Sequence, residues 1–577
     1  MTAAVAAPAT VEDAGARRTL LDALPLLAAV GLLMAGSGLT STLVGVRAGL
    51  EQFSATTTGV VLAGYYAGFL VGSTLTPRSI RRVGHVRVFA GLASLASAAV
   101  LVHVVRPEPI TWFALRALTG LCVAGLYVVT ETWLNGAATN TTRGTLLAVY
   151  MVAVTGGLAG GQLLFSTADP GGFAAFVLAS VLVSLAVVPV ALATVRPPSV
   201  PEPSRLSVRE VAAVAPLGVV GAALSGLTGA AVLGGGAVYA SHAGLGRGAT
   251  ASLIGAALVG GLVLQAPLGR WSDRIDRRFV VAVAGFVGAA LAVAAAWAGP
   301  DRLGLVIALV TVAGGISFPL YSLASAHLND YLDPGLVIAA GSRMVMVNGA
   351  GAIAGPILAA AMIDAAGPGA LFVVLAAAYL IVGAYALWRM TRRPAPAAEE
   401  RAHYSPVPVG AGPTVATLQP GAGEELYPRV AGQADLDGRP VPYVTQGEGE
   451  PLVVLGSPPR ASGGVDRLLT ALAIDGVRAV APEADRADEV VAVLRDLGRH
   501  AADVLVFPDG AALADALCEH EPERVEQLIV VGSPGTAAPD RTAALVLTAP
   551  PATEDELEQL ADTVAEVVRH SPTSDQP

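Results

Sequence analysis

Twelve long apolar stretches in the first two thirds of the chain limit most strongly how it can fold. Each is close to the about 20 residues that cross a hydrocarbon layer as a helix, the form in which a segment satisfies its own backbone hydrogen bonds. With 54% hydrophobic residues and 14% charged residues, the chain is too apolar for a water-soluble globule. We predict an all-α polytopic membrane protein whose twelve transmembrane helices cover roughly residues 19–44, 56–75, 86–105, 110–134, 144–165, 172–195, 211–240, 250–268, 279–298, 303–328, 335–362 and 370–387.

Charge divides the chain into two parts of opposite sign. Residues 1–396 hold 23 arginines and 15 acidic residues, whereas the remainder holds 12 arginines and 30 acidic residues. Since nucleic acids and anionic lipid surfaces repel an acidic region, neither is expected as its partner. The chain contains no lysine, so a nucleotide-binding G-x-x-x-x-G-K-[ST] loop is excluded.

The arginines between the apolar stretches predict the orientation in the membrane. With a cytoplasmic N-terminus, 17 of these arginines face the cytoplasm and only Arg47, Arg106, Arg247 and Arg302 face outward. Short loops rich in arginine stay inside the cell. We therefore predict a multi-pass protein of the plasma (inner) membrane with both termini cytoplasmic, and a first helix that is retained rather than removed as a signal peptide.

An internal repeat divides the apolar part into halves of six helices. Leu126–Tyr127 and Leu134–Asn135 recur as Leu320–Tyr321 and Leu328–Asn329, an offset of 194 residues. Parallel halves of this kind place a substrate path between them near the midplane. The predicted domains are an N-terminal segment 1–18, a six-helix bundle 19–195, a central loop 196–210, a second bundle 211–393, a Pro/Gly-rich linker 394–425 and an α/β domain 426–577.

The loop after the eighth stretch carries a family resemblance. Residues 269–278 read Gly-Arg-Trp-Ser-Asp-Arg-Ile-Asp-Arg-Arg and resemble the G-x-x-x-D-R-x-G-R-R loop of the major facilitator superfamily, with Asp276 in place of the second glycine. The equivalent loop of the first half keeps Gly84 but has Arg81 where the family has aspartate. Arg116 and Gly120 also resemble the family motif R-x-x-x-G. The resemblance covers about residues 15–393 and implies alternating access by rocking of two six-helix bundles.

Charged residues at the cytoplasmic helix ends are the gating candidates. A carboxylate among arginines can hold neighbouring helix ends together through charge-assisted hydrogen bonds. Glu131 is a candidate partner for Arg82, and the alternatives are an idle interfacial carboxylate and arginines that only set topology. The gating set is Gly269, Asp273, Arg274, Arg277, Arg278, Arg82, Gly84 and Glu131.

Two arginines lie deep within apolar stretches, where a charge is costly unless a cavity or a partner receives it. These are Arg116 and Arg343, and a structural hydrogen bond to backbone carbonyls is the alternative for each. Asp22 is the proton-coupling candidate, against a simple helix-start aspartate. Other candidates for the substrate path, all of which could instead serve helix packing, are Tyr65, Tyr66, Tyr127, Ser225, Thr228, Gln265, Tyr321 and Asn348.

Beyond the linker, short apolar runs alternate with helical patterns, which predicts a small cytoplasmic α/β domain. Residues 435–535 resemble the α/β-hydrolase fold. Gly456–Ser457 replace the His-Gly pair of that family, and Pro508 stands where the elbow G-x-S-x-G has its serine. Proline has neither a hydroxyl nor an N–H, so acyl transfer through this elbow is excluded. We expect a regulatory or docking domain and no enzyme, with a ligand sensor and a residual enzyme as alternatives.

Together these features predict a gradient-driven secondary transporter. A mostly apolar path favours export of a small amphipathic or hydrophobic compound, by an antiporter if transport is coupled to protons. The alternatives are a nutrient importer and a membrane receptor that signals through the tail. The expected partners are a small-molecule substrate, the lipid bilayer and a protein that binds the tail. We expect no cofactor, no metal site and no catalytic residues.

Overall fold

A computed structural model describes most of the chain. The chain forms two compact units. One unit comprises residues 17–138 and 143–420, and the other residues 1–16, 139–142 and 421–577. The backbone is described for residues 11–137, 143–192, 206–332, 336–396, 401–408, 412, 414–418, 430–437, 439–447, 451–458, 464–474, 477–531, 544–547 and 554–570, and side chains are described from residue 23 onward within these ranges, apart from a few helix and strand positions.

The first unit contains twelve helices that are long and apolar enough to cross a membrane, which confirms the prediction from the sequence. The first helix begins at Val11, before its apolar part. Span 7 contains a π-helical turn, Ala231–Gly235, and a short helix, Val208–Val214, precedes it. Spans 1 to 12 are Ala23–Leu50, Ala55–Val83, His85–Val105, Pro109–Asn135, Arg143–Thr167, Ala174–Ala191, Pro216–His242, Arg247–Arg274, Arg277–Ala298, Pro300–Asn329, Val337–Ala366 and Ala370–Met390.

The two ends of the helices differ in their loops. The breaks after spans 2 and 8, at Gly84 and at residues 275–276, lie at one end, here called the arginine-rich end because of its flanking arginines. The breaks after spans 1, 7 and 11 lie at the opposite end, as alternating spans require.

Spans 2 and 4 pack closely because glycines remove the side chains between them. A Cβ on Gly68 would collide with the carbonyl oxygen of Ala117, and one on Gly120 with the carbonyl oxygen of Tyr65. Small residues let membrane helices approach backbone to backbone. Gly120 therefore brings span 4 against span 2, which sets Arg116 beside Tyr65.

The second unit contains a seven-stranded sheet in the order β1-β2-β4-β3-β5-β6-β7. Strands β1 and β2 pair antiparallel, as do β2 and β4, whereas the other pairs are parallel. Apolar clusters that include helix residues cover its faces, which parallel sheets require. The strands are Val430–Leu436, Arg439–Gln446, Pro451–Leu455, Arg478–Pro482, Ala502–Val506, Val525–Val531 and Ala544–Leu547, and the helices are Gly464–Ile474, Ala487–Asp496, Ala511–His520 and Glu554–His570.

The segment that its composition marks as a linker, residues 394–425, departs from that prediction. Its described residues 401–408, 412 and 414–418, here called the post-helical segment, belong to the compact membrane unit, which extends to Pro420. Val407 and Val415 are buried in an apolar cluster with residues of spans 1 to 4. The segment contains one 3-10 turn, Val415–Leu418, and it docks because its backbone N–H groups find acceptors on the helices.

Candidate functional site

A central cavity lies between the two six-helix halves, and the space among its wall residues, open solvent included, is about 1170 Å³. The wall is mainly apolar and aromatic, with a few polar groups. From the first half it includes Met34, Ser37, Ser41, Thr42, Tyr65, Tyr66, Phe69, Arg116, Tyr127 and Gln162, and from the second half Ser225, Leu233, Ile254, Leu258, Phe318, Tyr321, Val345 and Asn348.

Arg116 supplies a positive charge to this wall. Its side chain is buried, and its guanidinium carbon lies 4.7 Å from the centre of the Tyr65 ring. Among the described residues, no carboxylate lies within ion-pair distance of Arg116, and its buried Nε has no hydrogen-bond partner. An arginine held in this way retains donors for a ligand, because the aromatic ring satisfies only the face of its guanidinium plane.

Aromatic rings form much of the remaining surface. Tyr65 and Tyr66 meet edge to face at 5.3 Å between ring centres, and Phe69 continues the group towards Tyr127. The repeated pair Tyr127 and Tyr321 both line the cavity, one from each half. Both tyrosines were among the path candidates chosen from the sequence as polar or aromatic residues of apolar stretches.

The sequence reasoning missed four polar wall residues, Ser37, Ser41, Thr42 and Gln162. Gln162 accepts a hydrogen bond from Thr42 at 2.9 Å and donates to the carbonyl of Gly38 at 3.2 Å, so it links spans 1 and 5. The available signal was an uncharged amide within an apolar stretch. Ser225 and Asn348, which were predicted, donate to the backbone carbonyls of Ser317 and Ala222, so both also join helices.

Three predicted path residues do not line the cavity. Arg343 donates to the carbonyl of Leu206 at 2.5 Å, which makes it a tie to the chain before span 7. Thr228 donates to carbonyls of its own helix. Gln265 binds the post-helical segment through Tyr404 and the carbonyl of Val407. Their depth in apolar stretches did not separate these residues from the wall residues, because the sequence does not reveal which face of each helix lines the cavity.

At the end of the cavity opposite the arginine-rich end, the two halves contact each other directly. Asp364, near the end of span 11, accepts hydrogen bonds from the backbone N–H groups of Ala55 and Thr56 at 3.1 and 2.7 Å. A carboxylate is stabilised at a helix N-terminus, where unpaired N–H groups point outward. Arg247 donates to the carbonyl of Ala168 at 2.7 Å, which joins spans 8 and 5.

At the arginine-rich end, the predicted gating residues form a network within the second half. Arg277 lies 3.2 Å from Asp273 and 3.0 Å from Asp330, which follows span 10. Burial raises the pKa of Asp330 to about 6, while Arg277 and the N–H of Ala402 act in the other direction. The network therefore holds the ends of spans 8, 9 and 10 together. Arg274 is exposed and does not share in it.

Asp276, the departure from the family loop, caps span 9. Its side chain accepts from the backbone N–H of Arg278 at 2.9 Å and pairs with the Arg278 guanidinium at 2.7 Å. These contacts hold its pKa below the usual value although burial opposes them. In the first half, Gly84 takes the corresponding place with a φ of +83°, which glycine adopts without strain.

The prediction that Glu131 pairs with Arg82 is wrong. Arg82 is exposed, whereas Glu131 is fully buried and accepts from Tyr150 at 3.1 Å, from the N–H of Gly412 at 2.7 Å and from Thr414 at 2.6 Å. The carboxylate faces inward from span 4, so the post-helical segment reaches it and the loop arginine does not. The side chain of Asp22, the proton-coupling candidate, lies outside the described residues.

Comparison with known proteins agrees with this geometry. A model of the Major Facilitator Superfamily matches residues 218–430, and one of the Sugar (and other) transporter family matches residues 3–199. An uncharacterized MFS-type transporter of Yersinia pestis is 26% identical over 355 residues, 61% of this chain and 92% of that protein.

Solved structures share the arrangement of helices. The nucleoside transporter NupG covers 64% of this chain and 98% of its own at 14% identity, with a TM-score of 0.51. A bacterial homolog to the human lysosomal transporter Spinster covers 66% of this chain and 98% of its own at 15% identity, with a TM-score of 0.52.

The membrane unit is similar to transporters of the major facilitator superfamily in sequence and in fold. These matches support a multi-pass membrane transporter for a small-molecule substrate, and the cavity between the halves occupies the place where such a fold binds its substrate. The superfamily relationship concerns the membrane unit and leaves the activity of the tail open.

The tail carries its own candidate site at the predicted elbow. Pro508–Gly510 form a single 3-10 turn directly after β5. Asp509 accepts from the backbone N–H of Ser457 at 2.8 Å. In the described part of the tail, His500 contacts Arg524 and His520 bonds to its own helix, so neither histidine is placed to activate Ser457.

Proposed function

We propose that this transporter exports a small amphipathic compound that carries an anionic group. The observation that supports this most directly is Arg116, whose buried guanidinium lies in the cavity wall with an unpartnered Nε among the described residues. A carboxylate, sulfonate or phosphate is the group that arginine binds most strongly. Binding it would also compensate a charge that is costly at this depth.

The remainder of the cavity favours an apolar or aromatic body for the same compound. Phe69 and Phe318 contribute carbon surface from opposite halves, and Tyr65 and Tyr66 add rings beside the charge. Aromatic rings stack with flat ligands, and burying apolar surface contributes about 25 cal/mol per Å². A compound with a charged group at one end and an apolar body fits both parts of the wall.

The charge pattern supports the proposed orientation: the arginine-rich end is taken as cytoplasmic because arginine-rich loops remain inside. The mostly apolar path favours export, which we propose is driven by an ion gradient, and Glu131 and Asp22 are the carboxylates proposed to carry a proton. In a chain in which Cys122 and Cys518 are replaced by alanine, Arg302→Cys should react with an impermeant maleimide added outside intact cells, and His403→Cys should not. Outside labelling at position 403 would overturn this orientation.

The tail is proposed to be a regulatory or docking domain without catalytic activity. Pro508 at the elbow and Gly456–Ser457 at the oxyanion position support this, because two independent parts of the hydrolase mechanism are replaced. The purified protein should show no ester turnover and no labelling by a serine-directed fluorophosphonate. Turnover that disappears in Ser457→Ala would make the protein bifunctional.

Counterflow in proteoliposomes tests the proposed substrate class. The panel consists of aromatic carboxylates and sulfonates with their matched amides and amines, each measured with and without a pH gradient. At least one anionic member should exchange faster than its neutral analogue. Arg116→Ala should reduce that exchange at least about tenfold, because one charged hydrogen bond contributes about 1.5–3 kcal/mol.

Arg343→Ala is the matched control, since it removes the other deep arginine without altering the cavity wall. It should retain most of the exchange. Equal exchange of every anionic compound by the wild type and by Arg116→Ala would contradict the proposed role of Arg116. Preference for the amines throughout the panel would contradict the substrate class.

A further inference from the structure

The post-helical segment lies across the arginine-rich end of the cavity. Val407 and Pro408 form part of the cavity wall, together with Tyr127 and Tyr321 from the two halves. Both segment residues are buried, although the chain has already left the last membrane helix at Met390. The segment therefore covers the mouth through which a compound would enter from this end.

The second half binds the beginning of the segment. The N–H of Ala402 donates to Asp330 at 3.0 Å, and its carbonyl accepts from Arg277. The N–H of Tyr404 donates to Asp273 at 2.9 Å, and its hydroxyl bonds to Gln265. The gating network of the second half thus binds the post-helical segment as well as its own helices.

Gly269 leaves space for the Tyr404 ring of the post-helical segment. A Cβ at position 269 would collide with the Tyr404 ring. The N–H of Val407 then donates to Ser322 at 3.0 Å, and its carbonyl accepts from Gln265 at 3.0 Å. The ends of spans 8 and 10 therefore present partners for successive backbone groups of one extended segment.

The first half binds the end of the segment through Glu131. Both carboxylate oxygens are used, one by the N–H of Gly412 and one by the hydroxyl of Thr414. Val415 packs in the apolar cluster of the first half, and Ala416 lies against Gly341 of span 11. The segment consequently contacts both halves at the end where they have to move relative to each other.

We propose that the post-helical segment is an intramolecular plug that holds the transporter in an inactive state. Rocking of the halves needs this end either to open for the compound or to close by direct contact of the helices. The bound segment prevents both, while Asp364 and Arg247 keep the opposite end shut. Transport therefore requires the segment to leave the cleft.

The plug is suited to reversible release. Ordering an irregular segment costs conformational entropy, and this cost offsets much of the gain from its hydrogen bonds, most of which involve a charged group of the helices. Since residue 421 begins the tail unit only three residues after Leu418, a ligand or protein that binds the tail can compete for the segment. This inference rests on the proposed function in one respect, that the cavity is the transport path.

Reaction of a cavity cysteine tests the plug without a known substrate. In the chain with Cys122→Ala and Cys518→Ala, Ser41→Cys places a thiol in the wall. The probe is a polar maleimide, and its rate is compared for the full chain, a chain ending at Pro420, which keeps the segment, and a chain ending at Arg393, which lacks it. The chain ending at Arg393 should react at least tenfold faster, and the chain ending at Pro420 within twofold of the full chain.

A full-length variant keeps the test decisive if a shortened chain does not fold. Gly412→Pro with Thr414→Val removes the N–H of position 412 and the hydroxyl of position 414, two of the segment's bonds to Glu131, and should raise the rate at least threefold. His403→Ala, at an exposed neighbouring position, should not change it. Equal rates with and without the segment, or an unchanged rate in the double variant, would overturn the plug. The labelling rate does not depend on anion binding, so a failure in the counterflow panel alone would affect only the proposed substrate.

Discussion

Tyr127 and Tyr321 occupy equivalent positions of the two halves and both line the cavity, whereas the buried charges of the first half, Arg116 and Glu131, have no charged counterparts in the second. The first half contributes Arg116 to the cavity and Glu131 to the segment, and the corresponding positions of the second half are Val310 and Ser325. The second half instead places its charges at the helix ends. The repeat therefore preserves the tyrosines of the cavity wall. The charged residues differ: those of the first half lie at the cavity and at the post-helical segment, and those of the second half lie at the helix ends.

The helix ends show the same contrast in a different form. At the start of span 9, Arg277 forms an ion pair with the buried Asp330. At the start of span 3, His85 instead contacts Thr132 at 3.2 Å and lies 5.8 Å from the Trp133 ring centre. One half joins its helices by charge and the other by an uncharged contact with packing, so equivalent folds use interactions of different strength.

The largest effect is expected at the charged helix end. Arg277→Ala should lower the free energy of unfolding by about 3–5 kcal/mol, because it leaves Asp330 buried without its cation. His85→Ala should cost only about 1–2 kcal/mol, since it removes one neutral hydrogen bond and some packing. Thermal melting of the purified proteins in one detergent compares the two. Arg277→Ala with Asp330→Ala should recover part of the loss, and equal losses in both halves would remove the contrast.

The charge in the cavity gives the next largest effect. Arg116→Lys should retain part of the exchange of the best anionic compound but remain about tenfold slower than the wild type, because an ammonium lacks the planar donor pair of guanidinium. Initial counterflow rates in proteoliposomes measure this. Full activity of the lysine variant would show that only the charge matters, and complete loss would indicate that stacking on Tyr65 is essential.

The helix breaks offer a smaller, matched comparison. Asp276→Ala should lower stability by about 1 kcal/mol through loss of the N-terminal cap of span 9. Gly84→Ala should cost about 1–2 kcal/mol for a different reason, since alanine is strained at a positive φ. Asp276→Asn separates the causes, because asparagine still caps the helix but loses the ion pair with Arg278. If Asp276→Asn were as unstable as Asp276→Ala, the ion pair rather than the cap would be decisive.

The smallest effects are expected at the repeated tyrosines. Tyr127→Phe and Tyr321→Phe keep the rings that line the cavity, so each should change the half-saturating concentration of the transported compound by less than about fivefold, the equivalent of one ordinary hydrogen bond. A change of more than tenfold in one variant alone would show that the repeat does not extend to the function of its tyrosines. Concentration dependence of counterflow provides the measurement.

Particular residues show how far the sequence predicts this site. Arg116 was predicted because a deep charge is costly in an apolar stretch, and the tyrosines of the wall were predicted because polar and aromatic side chains there could line a path. Arg343 had the same signal and yet ties span 11 to Leu206, because burial depth is not specific to the cavity face. Gln162 was missed, since a single amide in an apolar stretch also suits helix packing.

The sequence by itself determined the twelve spans and the two six-helix halves, because membrane crossing depends on the length and polarity of local segments and the repeat preserves their order. Only the tertiary structure decided where the post-helical segment lies and which groups bind Glu131. Gly412 is 281 residues away from Glu131 and contributes a backbone N–H, a group that every residue except proline carries. Such a contact leaves no pattern in the sequence, so only the folded chain reveals that a segment with the composition of a linker lies in the mouth of the cavity.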